Sequence, residues 1–98
     1  MAVAYAATVT LDLSAGKVFR IAELTGNVTI ANPDNLADGQ VFYMIVEQDA
    51  TGSRTITLGD KFLKVGTPST TADYIDLWQC VYNAADDKIY AVVSPNMA

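Results

Sequence analysis

The chain has 98 residues, enough for one domain, with a net charge of −5, no histidine and one cysteine. Its six basic residues are scattered, which argues against the clustered positive surface that nucleic acid or an anionic membrane needs, and Cys80 by itself excludes an internal disulfide. By contrast 51% of the residues are hydrophobic and only 17% charged; so small a domain has much surface to keep wet, and this balance points to apolar surface buried against other chains.

Residues 1–7, Met-Ala-Val-Ala-Tyr-Ala-Ala, are small and apolar with no turn signal. They lack the basic start and long apolar run of a signal peptide. We read them as an N-terminal arm, loose or extended to pair with a neighbouring chain. Thr8–Leu13 alternates cleanly, with Val9, Leu11 and Leu13 on one side, and predicts a half-buried strand. After the turn at 14–16, Lys17–Glu23 predicts a second strand, and Val28–Ala31 a short third. Asn32-Pro33-Asp34-Asn35 breaks regular structure. Residues 36–39 lead into Val41–Val46, six consecutive apolar residues.

This central run has Val41, Tyr43 and Ile45 on one face and Phe42, Met44 and Val46 on the other, so both faces need cover. A turn cluster at 49–53 and an alternating run from Arg54 to Leu58 follow. Two such runs around a short glycine-containing loop predict a β-hairpin. Phe62–Val65 is a short strand or an irregular apolar segment. Asp73–Asn83 predicts a second long strand, with Ile75, Leu77 and Val81 on one face and Tyr74, Asp76, Trp78, Cys80 and Tyr82 on the other. Lys88–Val93 is the last strand. Turn signals every 8 to 12 residues and no helical periodicity predict an all-β fold, a compact antiparallel β-sandwich or β-barrel of about seven to eight short strands. The organisation expected is an arm (1–7), a β domain (8–93) and a tail (94–98). Thr25-Gly26-Asn27 and Thr51-Gly52-Ser53 hint at a repeat but are too short to define one.

No catalytic constellation stands out, and we expect no enzyme. Without histidine, serine and cysteine lack their commonest activating base. The lysines adjoin turns, and the acid pairs Asp73/Asp76 and Asp86/Asp87 lie near turns rather than facing across a cleft. Asp49, Thr51, Asp60, Asp86 and Asp87 are oxygen ligands of the kind calcium takes, but turn-forming aspartate explains them as well, and no metal or cofactor is expected. Asn27-Val28-Thr29 fits a glycosylation acceptor and equally an ordinary turn exit. Tyr43, Tyr74, Trp78, Tyr82 and Tyr90 are candidates for core, subunit interface or ligand platform.

The strand opening Asp38-Gly39-Gln40, the turn containing Gln48-Asp49, Gly52 and Arg54-Thr55, and Asp76 ahead of alternating hydrophobics resemble a β module of tailed-bacteriophage virions. The resemblance runs from about Thr8 to Val93. It departs from the tail-fibre pattern at Gly59–Lys64, where a tryptophan-rich segment is usual. It implies a virion structural protein, either a small capsid decoration (cement) protein or a tail-fibre or spike head domain that binds a host-surface glycan. A chain that starts at Met1 and carries no shaft fits the decoration protein better. On that reading the protein is a homotrimer on the capsid exterior, bound to the major capsid protein. Ala2, Val3, Ala4, Tyr5, Ala6 and Ala7 form the capsid-binding arm, and Tyr43, Tyr74, Trp78 and Tyr82 the subunit interface.

Overall fold

In the computed structural model, which describes residues 1–96, strand and turn account for all regular structure. Among the described residues there are nine strands and no helix: β1 (Ala2–Val3), β2 (Thr8–Val9), β3 (Val18–Leu24), β4 (Val28–Ile30), β5 (Val41–Gln48), β6 (Ile56–Leu58), β7 (Phe62–Val65), β8 (Ile75–Asn83) and β9 (Lys88–Ser94). They form a six-stranded sheet in the order β1-β3-β5-β8-β9-β7 and a three-stranded sheet in the order β2-β4-β6.

The first two-thirds of the chain winds as a solenoid. Three successive coils each lay one strand in the large sheet (β1, β3, β5) and one in the small sheet (β2, β4, β6). Every pairing between coils is parallel, with Ala2 beside Arg20, Val18 beside Tyr43, Thr8 beside Thr29 and Val28 beside Ile56. The return segments stack as well. The Ala31 N–H donates to the Val9 carbonyl (2.9 Å), Asp34 N–H to Leu11 O (2.8 Å) and Leu13 N–H to Asp34 O (3.1 Å). Thus the predicted strand Thr8–Leu13 is a two-residue strand that continues into the stacked return segment through an Asp12–Asp34 bridge.

Two expectations are corrected here. The architecture is all-β but solenoid-like, not a closed antiparallel sandwich or barrel. The predicted hairpin does not form, because β5 and β6 lie in different sheets and the loop between them is a coil corner. The physical reason is that period-two alternation tells which side of a strand is buried but not which strand lies beside it. A short glycine-containing loop serves a coil corner as well as a hairpin.

The last third closes the solenoid. The chain leaves β6, crosses to the far edge of the large sheet as β7, and the β8–β9 hairpin fills the gap between β5 and β7. Here the pairings of β5 with β8 and of β8 with β9 are antiparallel, while β7 runs parallel to β9. The core lies on the inner side of the large sheet. Phe19, Ile21, Phe42, Met44, Trp78 and Ile89 are each 0% exposed and pack with Leu11 and Leu13 of the return segment and Val28 and Ile30 of the small sheet.

The segment expected as a free arm is the first coil. The Met1 ammonium group donates to the Val18 carbonyl (2.7 Å), Arg20 N–H donates to Met1 O (2.8 Å), and Thr29 N–H donates to Ala7 O (2.9 Å). Tyr5 Oη donates to the Asn27 carbonyl (2.8 Å), and its ring packs on the core. Residues 1–7 therefore spend one backbone edge on this domain, because a strand that reaches an open parallel edge in its own chain satisfies its polar groups there. Of the expected tail 94–98, Ser94 ends β9, and residues 97 and 98 lie outside the described residues.

Candidate functional site

Three surface features are built by this fold: a bonded corner, a polar hairpin tip and an apolar sheet face. The corner carries the motif at residues 48–55. Gln48 ends β5 with its side chain inward and 2% exposed. Its amide nitrogen donates to the carbonyls of Arg54 (2.8 Å) and Ser69 (3.0 Å), and its amide oxygen accepts the Arg54 N–H (3.1 Å). Asp49 accepts the Thr51 and Gly52 N–H groups and an ion pair from Arg54 Nη2 (2.9 Å). That guanidinium bond holds the Asp49 carboxyl below the usual carboxylate range. Gly52 has φ of +70°, and a Cβ there would stand 2.6 Å from Ala72 N; only glycine meets both demands. Asp76, also buried, accepts Ser69 N–H (2.6 Å) and Asn96 N–H (3.1 Å) through its two oxygens. The motif residues that carry the family resemblance thus tie the corner to the 66–73 loop, and their visible role is structural.

The hairpin tip gathers Lys61, Tyr82, Asn83, Asp86, Asp87 and Tyr90. Lys61 Nζ donates to both Asp87 oxygens at 2.6 Å, and Tyr82 Oη donates to Asp87 Oδ1 (2.6 Å). Tyr90 Oη donates to Asp86 Oδ2 (2.6 Å), which Asn83 Nδ2 also approaches at 3.3 Å. The lysine bond, then the tyrosine bond, lowers the Asp87 pKa, and the same contact raises that of Lys61. The phenols of Tyr82 and Tyr90 are raised because each hydrogen-bonds a carboxylate. Asp87 keeps 59% of its side chain exposed, so its remaining lone pairs face solvent. The tip presents carboxylates, an amide and phenols at one end of the molecule, a set that can exchange hydrogen bonds with hydroxyl groups.

The sheet face is the outward side of the large sheet. Val41, Val81, Tyr90, Val92, Leu63 and Val65 lie on it, each more than a third exposed. Its apolar rows carry no charge; charged groups stand at the rims, Arg20 paired with Glu47 (2.9 Å) at one and Lys88 and Asp86 beside Tyr90 at the hairpin end. The sequence shows apolar residues on both faces of β5 and β8; that their outward residues join those of β7 and β9 in one surface depends on strand order.

The sequence-predicted residues divide between these places. Tyr43 lies on the outward face, half-buried. Tyr74 is half-buried at the corner, where its carbonyl accepts the Gln48 N–H (3.0 Å). Tyr82 is at the hairpin tip. Trp78, expected at a subunit interface, is 0% exposed in the chain's own core and unavailable to another subunit; its strand face is the inward one because Asp76 and Cys80, two residues either side, are buried too. Its indole N–H meets no acceptor among the described residues. Cys80 is an inert core thiol, pushed up to about 12 by burial. Of the oxygen-bearing residues considered for calcium, Asp49 is engaged by Arg54, Asp60 by Asn32 Nδ2 (2.7 Å) and Asp87 by Lys61. Among the described residues no group of three or more acidic or cysteine side chains is placed to hold a metal ion.

Parallel coils closed by a hairpin, with a conspicuously bonded corner, define the class: a solenoid-like all-β module. Residues 6–87 match the family model described as "Putative phage tail fibre C-terminal domain", and the chain belongs to that family. It is a structural module of the phage virion. No curated protein and no solved structure matches the chain.

Proposed function

We propose that this domain forms the host-facing end of a tail fibre, assembled as a homotrimer, and contacts a glycan on the cell surface. The observation that carries the reading is the family match, which runs from Ala6 to Asp87, from just ahead of β2 through the corner to the turn after β8. The hairpin tip supports it chemically. Its carboxylates and amide suit the paired hydroxyls of a sugar, and they are held in place by Lys61 and the two tyrosines rather than left to wander. The decoration-protein reading loses support because it used residues 2–7 as a free capsid-binding arm, and these residues bond to β3 and β4 instead.

The test is binding of the fluorescently labelled domain to host cells, before and after periodate oxidation of surface glycans. Specific binding that periodate abolishes, and that an Asp86→Ala/Asp87→Ala variant reduces at least tenfold, is the expected result. Binding to fibreless capsids with none to host cells would instead establish a decoration protein and overturn this reading.

A further inference from the structure

The register of the large sheet lines its outward residues into rows. One row runs Val41, Val81, Tyr90, Leu63 across β5, β8, β9 and β7. The next runs Val18, Tyr43, Gln79, Val92, Val65 across β3, β5, β8, β9 and β7. In the third, Ile45 stands beside Leu77. Eight of these eleven side chains are aliphatic and two are tyrosines; the only side chain without substantial apolar surface is Gln79. The strands carrying them are joined by backbone pairing into one sheet, so the rows form one surface and not a scatter of single exposed residues.

We infer that this face is where copies of the chain meet one another. The inference rests on the reading that the domain works as an oligomer and adds which surface does so. Two features single out a second copy as the occupant. The first is charge. The molecule carries −5 overall, yet the apolar rows themselves carry no charge, and charged groups at their rims are engaged: Glu47 by Arg20 (2.9 Å), Asp86 by the Tyr90 hydroxyl (2.6 Å) and Lys88 by the Asp60 carbonyl (3.2 Å). Copies that repel elsewhere can therefore bring these faces together without burying an unpaired charge. The second is area. The seven aliphatic and aromatic residues most exposed here (37–69%) leave on the order of 500 Å² of surface, at the top of what a monomer tolerates. With half-buried Tyr43, Ile45 and Leu77 added, it approaches the roughly 800 Å² per partner of a stable interface. Gln79, at the centre of the middle row, is the one polar residue in the patch, and it is exposed with its strand neighbours buried.

The experiment is sedimentation velocity on the full chain and on two outward-facing variants, Gln79→Glu and Val92→Lys, with folding followed by circular dichroism. Both positions are exposed, so neither change disturbs the core. The wild type is expected as a multiple of the 10.5 kDa chain, and each variant as a folded single chain with association weakened at least tenfold. A folded variant that stays assembled like the wild type overturns the assignment of this face while leaving oligomer formation intact. A wild type that sediments as one chain at all concentrations overturns both, and points to a different partner for the face.

Discussion

Gln48 shows how one side chain can decide a local path. It sits at the end of β5 where the chain must leave the large sheet, and it satisfies three backbone groups of two different loops. A buried primary amide suits this because it donates and accepts at once. Gln48→Ala should cost about 2–4 kcal/mol, since it strands backbone donors and acceptors in a partly buried corner; the shift in the urea midpoint measures it. A change under about 0.5 kcal/mol would mean that water replaces the amide freely. The residue was legible as part of a turn motif. Its role was not, because Ser69 comes from a loop that the local pattern does not bring near.

At the scale of elements, the first coil is the clearest departure from expectation. Besides the β1–β3 pairing, residues 1–7 make four long-range hydrogen bonds: the Met1 ammonium to Val18 O, Arg20 N–H to Met1 O, Thr29 N–H to Ala7 O and Tyr5 Oη to Asn27 O. At about 1 kcal/mol each, deleting residues 1–7 should lower stability by on the order of 4 kcal/mol, visible as a fall in Tm by calorimetry. A detachable arm would leave Tm unchanged. The repeated turns at Thr25-Gly26-Asn27 and Thr51-Gly52-Ser53 also find their meaning at this scale. They mark the same corner in successive coils, following β3 and β5. The Thr55 N–H even donates to Asn27 Oδ1 between the two corners (3.0 Å). Unequal coil lengths hide the period, which is why so short a signal could not define a repeat.

At the scale of the whole molecule, acidic corners set the pH behaviour. Asp12 is lowered by hydrogen bonds from Ser14 and Asn35, Asp49 by Arg54, Asp60 by Asn32 and Asp87 by Lys61. A carboxylate with a depressed folded pKa adds stability above its unfolded value, and this is lost as pH falls through the folded one. Thermal melts should therefore hold steady from neutral pH down to about 4 and then drop as the pH goes lower. The Asp49→Asn variant should show a shallower drop. A Tm that begins to fall well above pH 5 would mean that other groups control the transition. Lys61, Tyr82 and Tyr90 have raised values and Asp87 a lowered one, so the hairpin tip keeps its bonds at neutral pH and loses them in alkali, as pH rises through the raised values, or in acid, as pH falls through the Asp87 value. Binding through the tip should be insensitive to pH between about 5 and 9.

Alternation of side chains along the chain was enough to settle that the protein is all-β, and which residues of the long strands share a face. Phe42, Met44 and Val46 are buried together and Val41, Tyr43 and Ile45 lie on the other side, although the sequence asked for cover on both. The same spacing put Trp78 on one face with Asp76 and Cys80, but did not say whether that face was the core or an interface. That choice, and the choice of coils over a sandwich, belonged to the tertiary structure. Side-chain polarity repeats every two residues and is written locally. Strand partners are chosen by backbone hydrogen bonds that are alike for every residue, and by how far each loop carries the chain before it returns.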